Sequence, residues 1–173
     1  MIANLSPEDL ANIQHLQVKD WPDILPPFAY YLRSNYCLAL KAQMGEKIVG
    51  LGAGILYGRS GWLAHIVVDP AERKRGIGTR ISQSLAETLE KQGCKTLLLT
   101  ATALGEPIYR KIGFEIDTPI HFFQGKAATP GLNPHIWGFH PSYTAFCFRW
   151  IRPLAEKTGK NYLALTSPTP SCI

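Results

Sequence analysis

The sequence predicts a mixed α/β fold, and two observations carry that prediction. Apolar runs of strand length fill residues 36–68 and return at 94–100, while Ile77, Ile81, Leu85 and Leu89 recur every four residues between them. Strand, helix and strand in that order from 62 to 99 make a βαβ unit, whose two strands run parallel. At 173 residues, 46% apolar and 18% charged, the chain has the material of one domain and needs no disulfide or metal staple to build a core.

The elements follow in order. Ser6-Pro7-Glu8-Asp9 reads as a helix start, a hydroxyl cap with Pro at the first position and acids in the first turn, and Leu10, Ile13 and Leu16 continue it as one apolar stripe. Trp21-Pro22 and Pro26-Pro27 break that helix, and a short second one occupies Phe28 to Arg33. Three strands come next, Tyr36 to Gln43, Lys47 to Tyr57 and Trp62 to Val68, turning at Gly45-Glu46 and at Gly58 to Gly61. The third is apolar at nearly every position, as suits a central strand covered on both faces. The helix that begins at Ile77 supports itself with a Glu87–Lys91 pair and stops at Gly93. Cys94 to Thr100 is a strand, Pro107 to Ile112 a short helix ended by Gly113, and Phe114 to Phe123 a strand interrupted around Pro119.

Composition excludes several classes. No apolar run approaches the roughly 20 residues of a membrane-spanning helix. Met1 to Leu10 lacks the basic-then-apolar order of a secretory signal, so a cytoplasmic location is expected. Cys37, Cys94, Cys147 and Cys172 form no closely spaced pair and the five histidines supply none, so no metal site is expected; core filling suits Cys37 and Cys94. The net charge of +5 is uneven: residues 118–173 hold five basic side chains against one acidic, with seven of the 13 prolines and nine of the 18 aromatics. A basic, aromatic tail has the ingredients to bind nucleic acid, but no recognition motif accompanies the charge. From Thr129 onward no helix or strand period is sustained, apart from one helix-like stretch from Arg152 to Lys160.

The chemically informative segment is Arg73-Lys74-Arg75-Gly76-Ile77-Gly78-Thr79, at a strand-to-helix junction. Gly76 and Gly78 let a ligand approach the backbone, and the first helical turn offers unpaired N–H groups at the positive end of its dipole. With three cations alongside, a diphosphate fits. The pattern is neither a P-loop nor a dinucleotide fingerprint, and alone it reads more readily as an ordinary turn.

Its neighbours narrow the reading. Val67-Val68-Asp69-Pro70, then Arg73-x-x-Gly76-x-Gly78, then Tyr109-x-x-x-Gly113-Phe114 strongly resemble the GNAT superfamily of acyl-CoA-dependent N-acetyltransferases, over roughly residues 5–125. The resemblance implies a central mixed, mostly antiparallel sheet with splayed parallel central strands, flanked by helices, and acetyl-CoA as cosubstrate. It places the backbone of Ile66, Val67 and Val68 against the pantetheine amides, and the amides from Arg75 through Gly76, Ile77 and Gly78 to Thr79 on the pyrophosphate, with the charges of Arg73 and Lys74 beside them. It puts Tyr109 near the sulfur, assisting departure of the thiolate; apart from the family, Tyr109 reads as a packed core aromatic. His65 and Glu106 are the positional candidates for the general base, with ordered water as a third. A core histidine and a helix N-terminal acid are their structural readings.

Ala101-Thr102-Ala103-Leu104-Gly105-Glu106-Pro107-Ile108-Tyr109, with Trp62 and Trp21, resembles a bacterial subgroup whose members often continue into a second domain. The chain divides accordingly into an acetyltransferase domain, 1–125, and a Pro- and aromatic-rich extension, 126–173. The extension reads as a cover for the acceptor groove, a remnant of the second domain, or a homodimer surface. The expected function is transfer of an acetyl group to a primary amine on a small molecule or peptide. The alternative is a CoA-binding module without catalysis.

Overall fold

The computed structural model describes residues 1–19 and 21–120, together with the backbone of 162–166. Seven strands form one sheet: β1 (Ile2–Asn4), β2 (Cys37–Met44), β3 (Lys47–Tyr57), β4 (Ser60–Val68), β5 (Thr96–Ala101), β6 (Glu115–Ile120) and β7 (Tyr162–Thr166). Their order is β1-β2-β3-β4-β5-β7-β6. From β1 to β4 every pairing is antiparallel, and β4 to β5 is the parallel step that the βαβ order predicts. β7 lies parallel to both β5 and β6, within the stretch where no strand period is expected. The tail helix expected at 152–160, the end of the last strand at 121–123, Cys147, Cys172 and the readings of the extension lie outside the described residues.

Among the described residues, three α-helices flank the sheet: α1 (Leu25–Arg33), α2 (Ile77–Lys91) and α3 (Glu106–Lys111). On one face, α2 buries Ile77, Ile81, Leu85 and Leu89, the four-residue series of the sequence, in a cluster with Leu97, Leu99, Tyr109 and Phe114. On the other face, Phe28 and Tyr31 of α1 pack with Ile13, Leu16, Leu51 and Val67. Burying each such aliphatic side chain contributes about 1.5–3 kcal/mol.

Two departures from the sequence reading have physical causes. The N-terminal segment forms 3-10 turns, Pro7–Asn12 and Gln14–Leu16, in place of an α-helix. Leu10, Ile13 and Leu16 are spaced strictly by three, which is the 3-10 repeat, and Ile13 and Leu16 both face the core. Asp9 anchors the first turn: its carboxylate accepts from the Ser6 N–H and from Lys41 Nζ on β2. The second helix begins at Leu25 and not at Phe28, so Pro26 and Pro27 lie in its first turn, which needs no backbone donors, instead of preceding it.

Close approach of α2 to the sheet depends on Gly52. A methyl there would stand 2.6 Å from Ile81 Cγ2 and 3.0 Å from Leu85 Cδ1. Ile81 is fully buried, and as a β-branched helical residue it strongly prefers one χ1 rotamer, so retreat is costly. Gly52→Ala is therefore expected to destabilise by about 1–3 kcal/mol, the range for overpacking. Urea unfolding monitored by circular dichroism reads this, with an unchanged midpoint as the contrary result.

Candidate active site

The parallel pairing of β4 with β5 is short. It runs from Ser60↔Thr96 to Leu63↔Leu99 and ends there, although β4 continues to Val68. The cause lies in β4 itself. Leu51 faces Val67 and Ala53 faces Ala64, so Gly52 alone opposes both His65 and Ile66. This two-against-one count is a β-bulge, and His65 takes a left-handed φ of 48° to accommodate it. The extra residue bends β4 away from β5 and opens a wedge.

Strand alternation decides what faces that wedge. The Asp69 N–H donates to the Val49 carbonyl on β3, so residues 67 and 69 direct their backbone groups to β3. Ile66 and Val68 therefore present theirs to the opposite side, toward the wedge. Arg73 Nε donates to the Val68 carbonyl at 3.2 Å, which ties the following loop to this edge.

That loop holds its amides in a concave arrangement. Arg73 has a φ of −65°, Lys74 of 62° and Gly76 of 75°. Arg75, between the two left-handed residues, keeps a negative φ, so the sign alternates along the loop. Alternation of this kind turns successive N–H groups to one side, a nest for anions. The first α-helical bond of α2 is Arg80 N–H to the Gly76 carbonyl, which leaves the N–H groups of Ile77, Gly78 and Thr79 without helical partners. The two glycines do different work. A methyl on Gly76 would meet nothing within 4 Å, so its requirement is conformational. A methyl on Gly78 would press on Ile108 Cδ1 at 3.3 Å, so there the requirement is the approach of α3.

Asp69 holds the base of the loop. Its carboxylate accepts from Lys47 Nζ at 2.6 Å and from the Ala71 N–H at 3.0 Å, and the Lys47 bond foremost lowers its pKa. Arg75 Nη1 lies 2.8 Å from Glu72 Oε2, near enough for an ion pair but off the line of a hydrogen bond. With Arg75 more than half exposed, such a pair is worth about 0–1 kcal/mol and holds the guanidinium only weakly.

Tyr109 sits one residue after Ile108 and is buried on the α2 face, against Phe114 at 6.1 Å between ring centroids. Burial pushes its phenol up to about 12. Glu106, the second candidate base, is bound to Arg110 Nε at 2.6 Å one turn along α3.

His65 lies on the other face. Its Nδ1 is hydrogen-bonded to the Tyr31 hydroxyl at 2.8 Å, and the rings of Trp21, Phe28 and Tyr31 surround it with centroids 5.7–6.1 Å away. Burial lowers its pKa. The fold thus places Ile66 and Val68 on the edge of the wedge with Arg73–Thr79 following, keeps Tyr109 in the core cluster against which Ile66 and Val68 pack, and sets Glu106 in an ion pair with Arg110. Tyr31 and Phe28 are absent from the sequence reading as site residues. Their helix is legible, but a partner 34 positions along the chain has no local signal. Among the described residues no group of side chains is arranged to hold a metal ion, and no helix is long and apolar enough to cross a membrane.

The sheet is thus split after a bulge, and a concave run of backbone N–H groups stands at the end of the split. The chain belongs to the GNAT acetyltransferase family: the family pattern described as acetyltransferase (GNAT) domain matches residues 9–130. A probable glucosamine 6-phosphate N-acetyltransferase of rice (Oryza sativa subsp. japonica) is 37% identical over 57 residues, covering 33% of this chain and 34% of the relative. The chain spans only about a third of the length of the curated relatives it matches. The ribosomal-protein-S18-alanine N-acetyltransferase of Escherichia coli superposes with a TM-score of 0.59 at 24% identity, covering 66% of this chain and 77% of the other. A predicted acetyltransferase of Clostridium acetobutylicum, solved with acetyl-CoA, superposes at 0.56 and 19% identity, covering 77% and 95%. At these identities the two structures show a shared fold.

Proposed function

We propose that the protein transfers an acetyl group from acetyl-CoA to a primary amine by direct attack. The observation that supports this most is the wedge, where β4 parts from β5 and the Arg73–Thr79 loop follows after residues 69–72 and is tied back to the Val68 carbonyl. A ligand with amides along one arm and a diphosphate at its end meets donors and acceptors at both places. Ile66 and Val68 serve the amides, and the N–H groups from Arg75 to Thr79 serve the diphosphate, with Arg73 and Lys74 adding charge. The bound cosubstrate supplies an activated thioester carbonyl.

The chain's own contribution is position and charge. Holding the carrier at both ends makes the attack effectively unimolecular. Tyr109 keeps its proton at neutral pH, since burial pushes it to about 12. A thiol of ordinary pKa near 8.5 lies roughly 3.5 units lower, so full proton transfer from the phenol is uphill by about 5 kcal/mol. The role its surroundings favour is a hydrogen bond to the negative charge developing on sulfur.

The acceptor's chemistry is an amine. Glucosamine 6-phosphate enters as a probe because the names of the rice and Trypanosoma brucei relatives carry it. Calorimetry with acetyl-CoA, followed by thiol-release assays across an amine panel, tests the reading. Micromolar binding with amine-dependent thiol release is expected. Absence of binding to folded protein overturns the reading, and binding without release under any amine supports a CoA-binding module.

A further inference from the structure

We propose that His65 is the proton acceptor for the attacking amine and that Tyr31 is its positioning residue. The proposal rests on the transferase reading above and adds the base and the face of approach.

Three observations converge on His65. The first is its place. With the diphosphate end held beyond Val68, a carrier running back along Val68 and Ile66 brings its reactive end to the vertex of the wedge. That vertex is where the β4–β5 ladder stops at Leu63↔Leu99, and His65 is the bulged residue beside it. From Val68 to His65 the strand covers about 10 Å, at about 3.3 Å per residue.

The second is orientation. His65 projects into the Trp21, Phe28 and Tyr31 cluster on the α1 face, whereas Tyr109 lies in the cluster on the α2 face. A base and a thiolate-stabilising donor thus flank the wedge from opposite sides. The amine arrives from the α1 face, and the negative charge on sulfur develops toward Tyr109.

The third is the state of the ring. Nδ1 is held by the Tyr31 hydroxyl, and among the described residues Nε2 has no hydrogen-bond partner. A left-handed backbone at a histidine is a strained arrangement, and such strain collects at functional sites. Tyr31 is the titratable group in contact with the imidazole, and Tyr30, Cys37 and Tyr57 stand behind it. Neither a carboxylate nor a cation among the described residues perturbs His65; burial alone lowers its pKa and keeps it neutral at pH 7.

The step balances as an aminolysis. The amine lone pair forms the C–N bond, the C–S bond breaks, and its electron pair leaves with sulfur. The proton shed by nitrogen passes to Nε2, while Nδ1–H donates to the Tyr31 oxygen, and His65 then returns the proton to the thiolate or to water. Neutral His65 must therefore carry its hydrogen on Nδ1, with a lone pair on Nε2.

Nitrogen-15 spectroscopy of the imidazole in the full-length chain tests this without any acceptor. The expected result is the Nδ1–H tautomer above pH 7, protonating below 6.5, with Tyr31→Phe loosening the tautomer preference. An Nε2–H tautomer overturns the proposal. Kinetics provide the second arm, with glucosamine 6-phosphate, an aminoglycoside and an alanine-terminated peptide as amines. His65→Asn, a residue that tolerates a left-handed φ, is expected to lower kcat about 100-fold and abolish the acid limb of the pH profile, leaving acetyl-CoA affinity within threefold. Tyr31→Phe is expected to lower kcat about tenfold and displace that limb. If His65→Asn keeps kcat within threefold while Tyr109→Phe does not, the assignment of His65 fails and the transferase reading stands. If acetyl-CoA does not bind the parent protein, both fail.

Discussion

Gly76→Asp is expected to weaken acetyl-CoA binding at least 100-fold while the protein remains folded. Two effects are separable at this position. The left-handed φ of 75° disfavours any side chain, by about 1–2 kcal/mol, and Asp and Asn bear it better than other residues. The space around a Cβ is open, so no clash adds to that cost. What Asp brings beyond Asn is a negative charge at the mouth of the nest. A like charge about 4 Å from a phosphate oxygen, at an effective dielectric near 20, costs about 4 kcal/mol. A 100-fold loss corresponds to about 2.7 kcal/mol and is the conservative expectation. Gly76→Asn carries the same backbone strain without the charge and is expected to bind within tenfold of the parent. Calorimetry on both variants, after circular dichroism confirms folding, reads the difference. Equal affinities for Asp, Asn and Gly would move the diphosphate away from this loop.

The parts of this fold that were legible in the sequence are those in which one residue reports on its neighbours. The series Ile77, Ile81, Leu85, Leu89 marks α2, and β3 begins and ends where its apolar run does, Lys47 to Tyr57. Gly76 and Gly78 disclose a strand-to-helix loop because their absence of side chains has a local cause. The bulge is less visible. Nothing at His65 announces a left-handed residue, and the clue stands on the neighbouring strand, where Gly52 opposes two positions. Tyr31 and His65 are joined only by the packing of α1 on the sheet, and no spacing rule spans 34 residues. β1, three residues long, exists because β2 offers it an edge. β7 likewise takes its extended form between β5 and β6, which is why its sequence carries no marked strand period. Pro119 sits in β6, which among the described residues is the outermost strand of the sheet, the position where proline is tolerated.

Tyr109→Phe is expected to lower kcat about 100-fold and to leave acetyl-CoA affinity within threefold. The substitution removes one oxygen and keeps the ring that packs on Phe114 and on the face of Gly105, where a methyl would stand 3.0 Å from Tyr109 Cε2. Stability therefore changes little through lost contacts. Binding of the carrier is supported at the nest and along β4, and neither involves the phenol, so affinity is preserved. The hydrogen bond from Tyr109 matters once negative charge gathers on sulfur, and loss of a donor aimed at developing charge costs about 10²–10³ in kcat. The pH profile checks the phenol's state. A phenol near 12 keeps its proton throughout pH 6 to 10, so removing its hydroxyl lowers kcat by the same factor at every pH in that range. A uniform drop is the expected result, and unchanged kcat at every pH would remove Tyr109 from the chemistry.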